Sequence, residues 1–243
     1  NIGSANGSWG AAFEEGMTIP MYTAIAKEYP DLALELYPDL EGKIPYKAYP
    51  NNVKDLFQKG HVFDLSANVQ KVTDEGNFNM TISRTDQDSY IPGSEFDRYS
   101  FSVGGNQQFG KKFRAGGNLA YSYTDQLSPM YGNNQSSADN GGMNSLARAF
   151  IMPRSWDIQN YPYQKKDGSN LLFQLSSQAN NPYWAWENDK FETIQKRIVA
   201  NANLGYDFTD WLSLDYTVGV NEYMFSRKSI VNLGSRGYAG KGY

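Results

Sequence analysis

FRAGGNLAYSY, residues 113–123, divides by parity. Phe113, Ala115, Gly117, Leu119, Tyr121 and Tyr123 fall on one side, and Arg114, Gly116, Asn118, Ala120 and Ser122 on the other. A strict two-residue period marks a β-strand whose two faces meet different surroundings. The polar parity sees water. The apolar parity faces either a packed protein core or lipid, and alternation alone leaves both open.

The same period recurs on either side of this stretch. In HVFDLSANVQ, Phe63, Leu65, Ala67 and Val69 oppose Asp64, Ser66, Asn68 and Gln70. FNMTISR sets Phe78, Met80 and Ile82 against Asn79, Thr81 and Ser83, and RYSFSVGG sets Tyr99, Phe101 and Val103 against Ser100, Ser102 and Gly104. RIVANANLGYDF and WLSLDYTVGVN, beginning at Arg197 and Trp211, continue the pattern. Six strands result. TDEGN, FGKKF and DFTDW connect them tightly, while TDQDSYIPGSEFD and an excursion over about 125–193 connect them at length. With antiparallel neighbours, short turns share one rim and long loops the other, the plan of an outer-membrane barrel. Phe109, Phe113, Phe208 and Trp211 beside the short turns, and Tyr121 and Tyr123 toward the long loops, then stand where interfacial girdles are expected.

Composition narrows the alternatives. Eighteen Tyr, thirteen Phe, five Trp and 23 Gly in 243 residues suit strands with one wet face and polar loops. The polar parity is mostly Asn, Ser, Thr, Gly and Gln, whereas a soluble sheet usually presents Lys, Glu and Arg to water. Uncharged polar side chains favour a crowded hydrated lumen over bulk solvent. Net charge is -4 and the basic residues form no stripe, which argues against nucleic acid. The absence of cysteine removes disulfides, thiolate metal sites and thiol nucleophiles.

Residues 1–60 form a less regular region leading into the strands. MYTAIAKEYPDLALELYPDL holds one or two short helices broken at Pro30 and Pro38. VKDLFQKG reads as a helical turn capped by Asn51 or Asn52 and ended by Gly60. A further short helix is expected within 141–157, with Met143, Leu146, Ala147 and Phe150 on one face.

No catalytic residue stands out. His61, the one histidine, opens a strand and lacks a nominated nucleophile or orienting acid, so it reads as a rim residue. Asp86, Asp88, Glu95 and Asp97 cluster in one connection, but without the Gly and terminal Glu of an EF-hand they read as a solvated acidic loop. No metal site and no cofactor is expected. The paired glycines 104–105 and 116–117 sit in strands and open no helix, so they permit bending or close approach rather than phosphate binding.

Three stretches carry a family resemblance. NNVKDLFQKG (51–60) resembles the segment that opens the barrel region of SusC/RagA-like TonB-dependent outer-membrane transporters of the Bacteroidetes. GNFNMTISRTDQDSYIPGSEFDRYSFSVGGNQQFGKKFRAGGNLAYSYTD (76–125) is similar to the strands that follow in that family. These include a D-Q-x-G-x-I-P-N-S loop, an R-x-x-F-S strand and a G-A-N strand. NNPYWAWENDKFETIQKRIVANANLGYDFTDWLSLDYTVGVNEYMFSR (180–227) is similar to its N-P-Y-W loop, R-hydrophobic strand and F-T-D-W-L-S-L turn. DQDSYIPGS (86–94) departs from the pattern by lacking the Gly before Ile-Pro.

The resemblance implies an all-β fold, an antiparallel transmembrane β-barrel segment with short periplasmic turns and long extracellular loops. Residues 61–243 would supply strands of a large plugged barrel, with the plug and TonB-contacting parts outside this sequence. Such a barrel has about 22 strands, and one this rich in loops needs on the order of 900 residues. The implied function is import of oligosaccharides or oligopeptides across the bacterial outer membrane, with a SusD-like surface lipoprotein as lid and TonB as energy source. Tyr183, Trp184 and Trp186 are candidate ligand or lid contacts, because aromatic faces pack on sugars, though a loop anchor is an equal reading. Tyr131, Asn133 and Asn134 are candidates for the same contacts. A small independent barrel and a secreted carbohydrate-binding β-domain remain the alternatives, and no enzyme activity is expected.

Overall fold

The computed structural model describes residues 11–129, 149–150, 152–171 and 180–235. Its main feature is a six-stranded antiparallel meander: β3 (His61–Thr73), β4 (Gly76–Asp88), β5 (Glu95–Phe109), β6 (Phe113–Pro129), β7 (Lys190–Thr209) and β8 (Leu212–Ile230), paired in chain order. Before it come β1 (Thr18–Pro20), α1 (Thr23–Glu28), α2 (Leu32–Leu36), a 3-10 turn (Pro38–Leu40), β2 (Lys43–Pro45) and α3 (Asn52–Asp55). α4 (Pro182–Asn188) sits at the foot of the long connection. β1 and β2 pair antiparallel. The fold is all-β and the sheet is open, so the expected barrel segment is an arc.

Tight turns follow local chemistry. Thr73 pairs with Gly76 across two residues, and the Thr73 hydroxyl donates to the Gly76 carbonyl at 3.1 Å. Gly110 opens the β5–β6 turn at φ 64°, a left-handed conformation that glycine adopts without a Cβ clash. The β7–β8 hairpin turns through Asp210 and Trp211 after a register shift between Asp207 and Thr209. All three turns lie at one rim. The connections over 89–94 and 130–189 lie at the other, as the parity and turn lengths predict.

The strands outrun the alternation that identifies them. β4 continues to Asp88 and β5 begins at Glu95, so the connection read as 85–97 shrinks to 89–94. β6 reaches Pro129, β7 starts at Lys190 and β8 continues to Ile230. Backbone pairing extends there although apolar side chains are fewer or fall on both parities, as Phe191, Ile194, Met224 and Phe225 do, which erases the period without breaking the ladder. Asp86, Asp88, Glu95 and Asp97 therefore lie on paired strand ends, not in a loop. Arg84 bridges Asp86 at 2.7 Å and approaches Asp97 at 3.8 Å. His61 Nδ1 lies 3.2 Å from Asp88 at the same rim.

Pro30 and Pro38 delimit the helical segments as expected. α3 ends at Asp55 rather than near Gly60, and neither Asn51 nor Asn52 caps it by a side-chain hydrogen bond to its own helix. Asn52 instead donates to the Trp156 carbonyl. Residues 152–158 carry no helix, being turned about Arg154 and Ser155, and of the expected helix only residues 149–150 are helical among those described. Met143, Leu146 and Ala147 lie outside the described residues.

The buried apolar cluster contains no residue of β3–β8. Ile25, Leu32, Ile44, Leu56, Ile91, Trp156, Ile158 and Trp186 belong to it, all from the segments at the long-connection rim. Those segments form a cap with its own core, and the sheet projects from it with both faces open. Tyr22 stacks on Trp156 at 5.8 Å, and Tyr161 meets Trp156 edge-on at 5.2 Å.

Candidate functional site

The register sorts the two faces of the sheet into rows. On the apolar face Val69, Met80, Val103, Leu119, Ala200 and Val220 stand side by side across all six strands. Phe63, Leu65, Leu214, Tyr216 and Val220 are each more than half exposed, so nothing described covers them. Toward the cap an aromatic and cationic fringe follows. Arg84 lies over the Tyr99 ring at 5.5 Å, and Lys196 over Tyr123 at 5.8 Å. At the opposite rim Phe109 and Phe113 approach to 5.6 Å, and Tyr206 meets Phe208 at 4.8 Å.

The other face is mostly polar, with Phe96, Phe191, Tyr223 and Phe225 set into its cap-side half. Ser66, Ser83, Ser100 and Ser122 form one row that continues through Arg197 to Tyr223, and Gln70, Asn79, Gly104, Asn118 and Asn201 form another. Asn68 Nδ2 donates to Thr81 Oγ1 at 2.8 Å, linking neighbouring strands. Thr81, Ser83, Ser100, Ser102, Ser122 and Arg197 border a hollow of about 540 Å³. Nearer the tight turns Arg114 reaches Asp207 at 2.5 Å and Asp215 at 3.1 Å. That guanidinium passes over Gly205, where an added Cβ would lie 2.5 Å from Asp215 Oδ1.

Three arginines dominate the upper half of this face, and sequence reasoning missed them. Arg98, Arg197 and Arg227 share the polar parity and are exposed. Among the described residues none of them pairs with a carboxylate. Arg227 lies 5.6 Å from both the Phe191 and Phe225 rings, Arg98 lies 5.8 Å from Phe96, and Arg197 Nε donates to Asn221 at 3.2 Å. A usable signal was present: in F-x-R at 96–98 and 225–227 the ring and the cation fall on one face of a strand.

The aromatic candidates on α4 lie differently. Trp184 and Trp186 are each 1% exposed. Trp184 Nε1 donates to the Gly168 carbonyl at 3.4 Å, and Trp186 packs near Phe57 at 6.5 Å and edge-on to Tyr183 at 6.1 Å. Tyr183 is partly exposed, and its hydroxyl accepts from Gln159 at 2.9 Å and donates to the Asp55 carbonyl at 3.3 Å. Desolvation raises its phenol above the ordinary value. Asn181 starts α4 by accepting from the Tyr183 amide at 3.0 Å. Tyr183 and Trp186 thus pack together against the cap core, while Trp184 is buried separately against Gly168. Tyr131, Asn133 and Asn134 lie outside the described residues.

A buried polar knot adjoins α4. Asp189, fully buried, accepts from Ser235 Oγ at 2.6 Å, the Asn232 amide at 3.1 Å and Asn180 Nδ2 at 3.2 Å. Asn170 donates to Asn180 Oδ1 at 2.6 Å. Burial pushes the Asp189 carboxyl up to about 6. Among the described residues no group of three or more His, Asp or Glu is placed to hold a metal ion.

No family model matches the chain, and no curated protein matches it. Among solved structures it is similar to the RagAB peptide importer in its open-open state, with a TM-score of 0.57 and 16% sequence identity. The match covers 84% of this chain and 22% of that one, so the chain spans about a fifth of the length of the importer chain. The likeness is one of fold: an antiparallel β-sheet segment carried by a much longer polypeptide.

Proposed function

We propose that the chain is an arc of the wall of a bacterial outer-membrane nutrient importer, with its apolar face on lipid and its polar face lining the interior. The slant of the apolar band carries this reading. On β3 the band runs from Phe63 to Val69 and Lys71 ends it; on β8 it runs from Leu214 to Val220 and Glu222 ends it. Val69 and Val220 lie on the same row, so the band's lower end on β3 is level with its upper end on β8. In crossing five strand spacings, about 24 Å, the band's upper end falls six residues, about 20 Å, from Phe63 through Tyr123 on β6 and Ile198 on β7 to Val220, a slope of about 40°. A bilayer is flat, so strands tilted by about 35–45° must carry an apolar band that slides in this way. On β6, Phe113 to Tyr123 spans ten residue steps, about 34 Å along the strand and about 26 Å across a membrane at that tilt, against an expected band of about 25 Å.

Resemblance of three segments to SusC/RagA-like transporters and the fold likeness to a peptide importer support the same conclusion. The cargo on this reading is an oligosaccharide or oligopeptide, the cap-side rim meets a SusD-like lipoprotein, and TonB acts through parts of the polypeptide beyond these residues. The work is transport, with no bond made or broken. A soluble β-domain would have to leave Phe63, Leu65, Leu214 and Val220 in water, because the buried cluster draws on no sheet residue.

The test uses the absence of cysteine from these 243 residues, with any cysteine elsewhere in the polypeptide first replaced by serine. Single cysteines at Leu119 and Asn118 are introduced into the intact polypeptide and treated, in isolated outer membranes, with a water-soluble maleimide. Labelling at 118 with protection at 119, reversed by detergent, is expected. Equal labelling at both, or recovery of the protein in the soluble fraction, overturns the reading.

A further inference from the structure

We infer that the polar face is a binding wall for acidic oligopeptides, with Arg98, Arg197 and Arg227 as the anchors; this rests on the importer reading. The chain as a whole is acidic, at -4. The upper half of the polar face inverts that balance. Three arginines stand there against one carboxylate, Asp64, which sits in the same row as Arg98 but two strands away. None of the three reaches a carboxylate among the described residues.

Their surroundings suit recognition of carboxylates. Phe191 and Phe225 flank the Arg227 guanidinium, and Phe96 supports that of Arg98. A stacked guanidinium keeps its N–H edge free and loses little entropy when it grips a carboxylate in bidentate fashion. Arg197 differs: Asn221 holds its Nε, and the guanidinium borders the 540 Å³ hollow beside Ser83, Ser100 and Ser122. Hydroxyls both donate and accept, so this row can meet peptide N–H and C=O groups next to an anchored carboxylate.

Spacing favours an extended peptide. Arg98 and Arg197 are two strands and two residues apart, about 12 Å between Cα atoms. Arg197 and Arg227 are one strand and four residues apart, about 14 Å. Carboxylates four residues apart in an extended chain lie about 13 Å from one another, so such a chain spans Arg197 and either of the other two. Arg98 and Arg227, about 16 Å apart, complete a triangle that one straight chain meets at two corners at a time. A sugar, by contrast, looks for open aromatic faces. Tyr223, exposed beside Arg197, offers one such face, whereas the Trp184 and Trp186 rings are buried.

Calorimetry on the detergent-solubilised intact transporter tests this, using two nonapeptides that differ only in Glu or Gln at every fourth position. Tighter binding of the Glu peptide is expected, by about tenfold per matched carboxylate, with the preference collapsing at high salt. The triple variant Arg98→Gln, Arg197→Gln, Arg227→Gln should bind the Glu and Gln peptides with equal affinity. If that variant does not fold, each single variant should lower the Glu-to-Gln ratio by itself. Equal binding of the two peptides, or a preference that survives the substitutions, overturns the inference. So does arginine-dependent binding of an oligogalacturonate in place of either peptide, which would make the wall a glycan site. A membrane-embedded protein that binds neither peptide overturns the inference alone, whereas a protein recovered outside the membrane overturns the importer reading as well.

Discussion

Ser235 Oγ donates to Asp189 Oδ2 at 2.6 Å, fastening the segment that leaves β8 to the foot of the long connection. Asn180 joins the same carboxylate, so one buried group ties together residues more than forty positions apart.

This knot should respond to pH. The Asp189 carboxyl titrates near 3.8 in an unfolded chain and at about 6 in the fold. Below about pH 4 both states hold the proton and the group is neutral in its effect. As pH rises toward 6 the unfolded chain releases its proton first, so the knot loses stability, and above 6 the full cost persists. Hydrogen exchange at the Asn232 and Ser235 amides is therefore expected to show greater protection at pH 5 than at pH 7.5 after correction for intrinsic rates. Asp189→Asn should flatten that difference.

Truncating the indole at the centre of the cap should loosen it without touching the sheet. Trp186→Ala removes a fully buried ring that contacts Phe57 and Tyr183, at a cost of about 3–5 kcal/mol. Limited proteolysis should then cut within 11–60, while β3–β8 stay protected in detergent. Tyr183→Phe, which removes only a half-exposed hydroxyl, should cost about 1 kcal/mol.

The two faces predict opposite tolerance to charge. Leu119→Arg, near the middle of the apolar band, should destabilise the protein in lipid vesicles by about 2–4 kcal/mol. Asn118→Arg, one residue away on the polar face, should cost far less. Equilibrium unfolding in urea with lipid present distinguishes them.

Breaking the exposed Arg114 pair should matter little. Asp215→Asn removes a contact at 3.1 Å that water screens, and the midpoint of chemical unfolding should stay where it is in the unaltered protein.

The strands were legible wherever one parity was apolar, and illegible wherever apolar side chains were fewer or fell on both parities. Phe113 to Tyr123 could be placed from sequence because lipid-scale contrast survives along it. Asp125 to Pro129 and Lys190 to Gln195 could not, since the ladder there rests on backbone hydrogen bonds that leave no side-chain period. The cap was less readable still. Trp156, Ile44 and Leu56 join one core from distant positions, and no local spacing announces such a union. Trp184 and Trp186 drew attention as exposed platforms because aromatic residues in a polar loop look displayed; their burial follows from partners far away in sequence. The arginines escaped notice because each is unremarkable alone, and only the register makes them neighbours.

Among the described residues, nothing pairs with the outer edge of β3 or of β8. Every second residue along those edges therefore offers an unmatched N–H and C=O, over 13 and 19 residues respectively. Water can satisfy such groups, but hydrocarbon cannot, and each left bare there costs several kcal/mol. The arc thus cannot enter a bilayer by itself and wait for the remaining strands. If the chain is a wall segment of an outer-membrane importer, as proposed, its two edge strands have to gain partners from the rest of the polypeptide before or as they meet hydrocarbon, which couples insertion to closure.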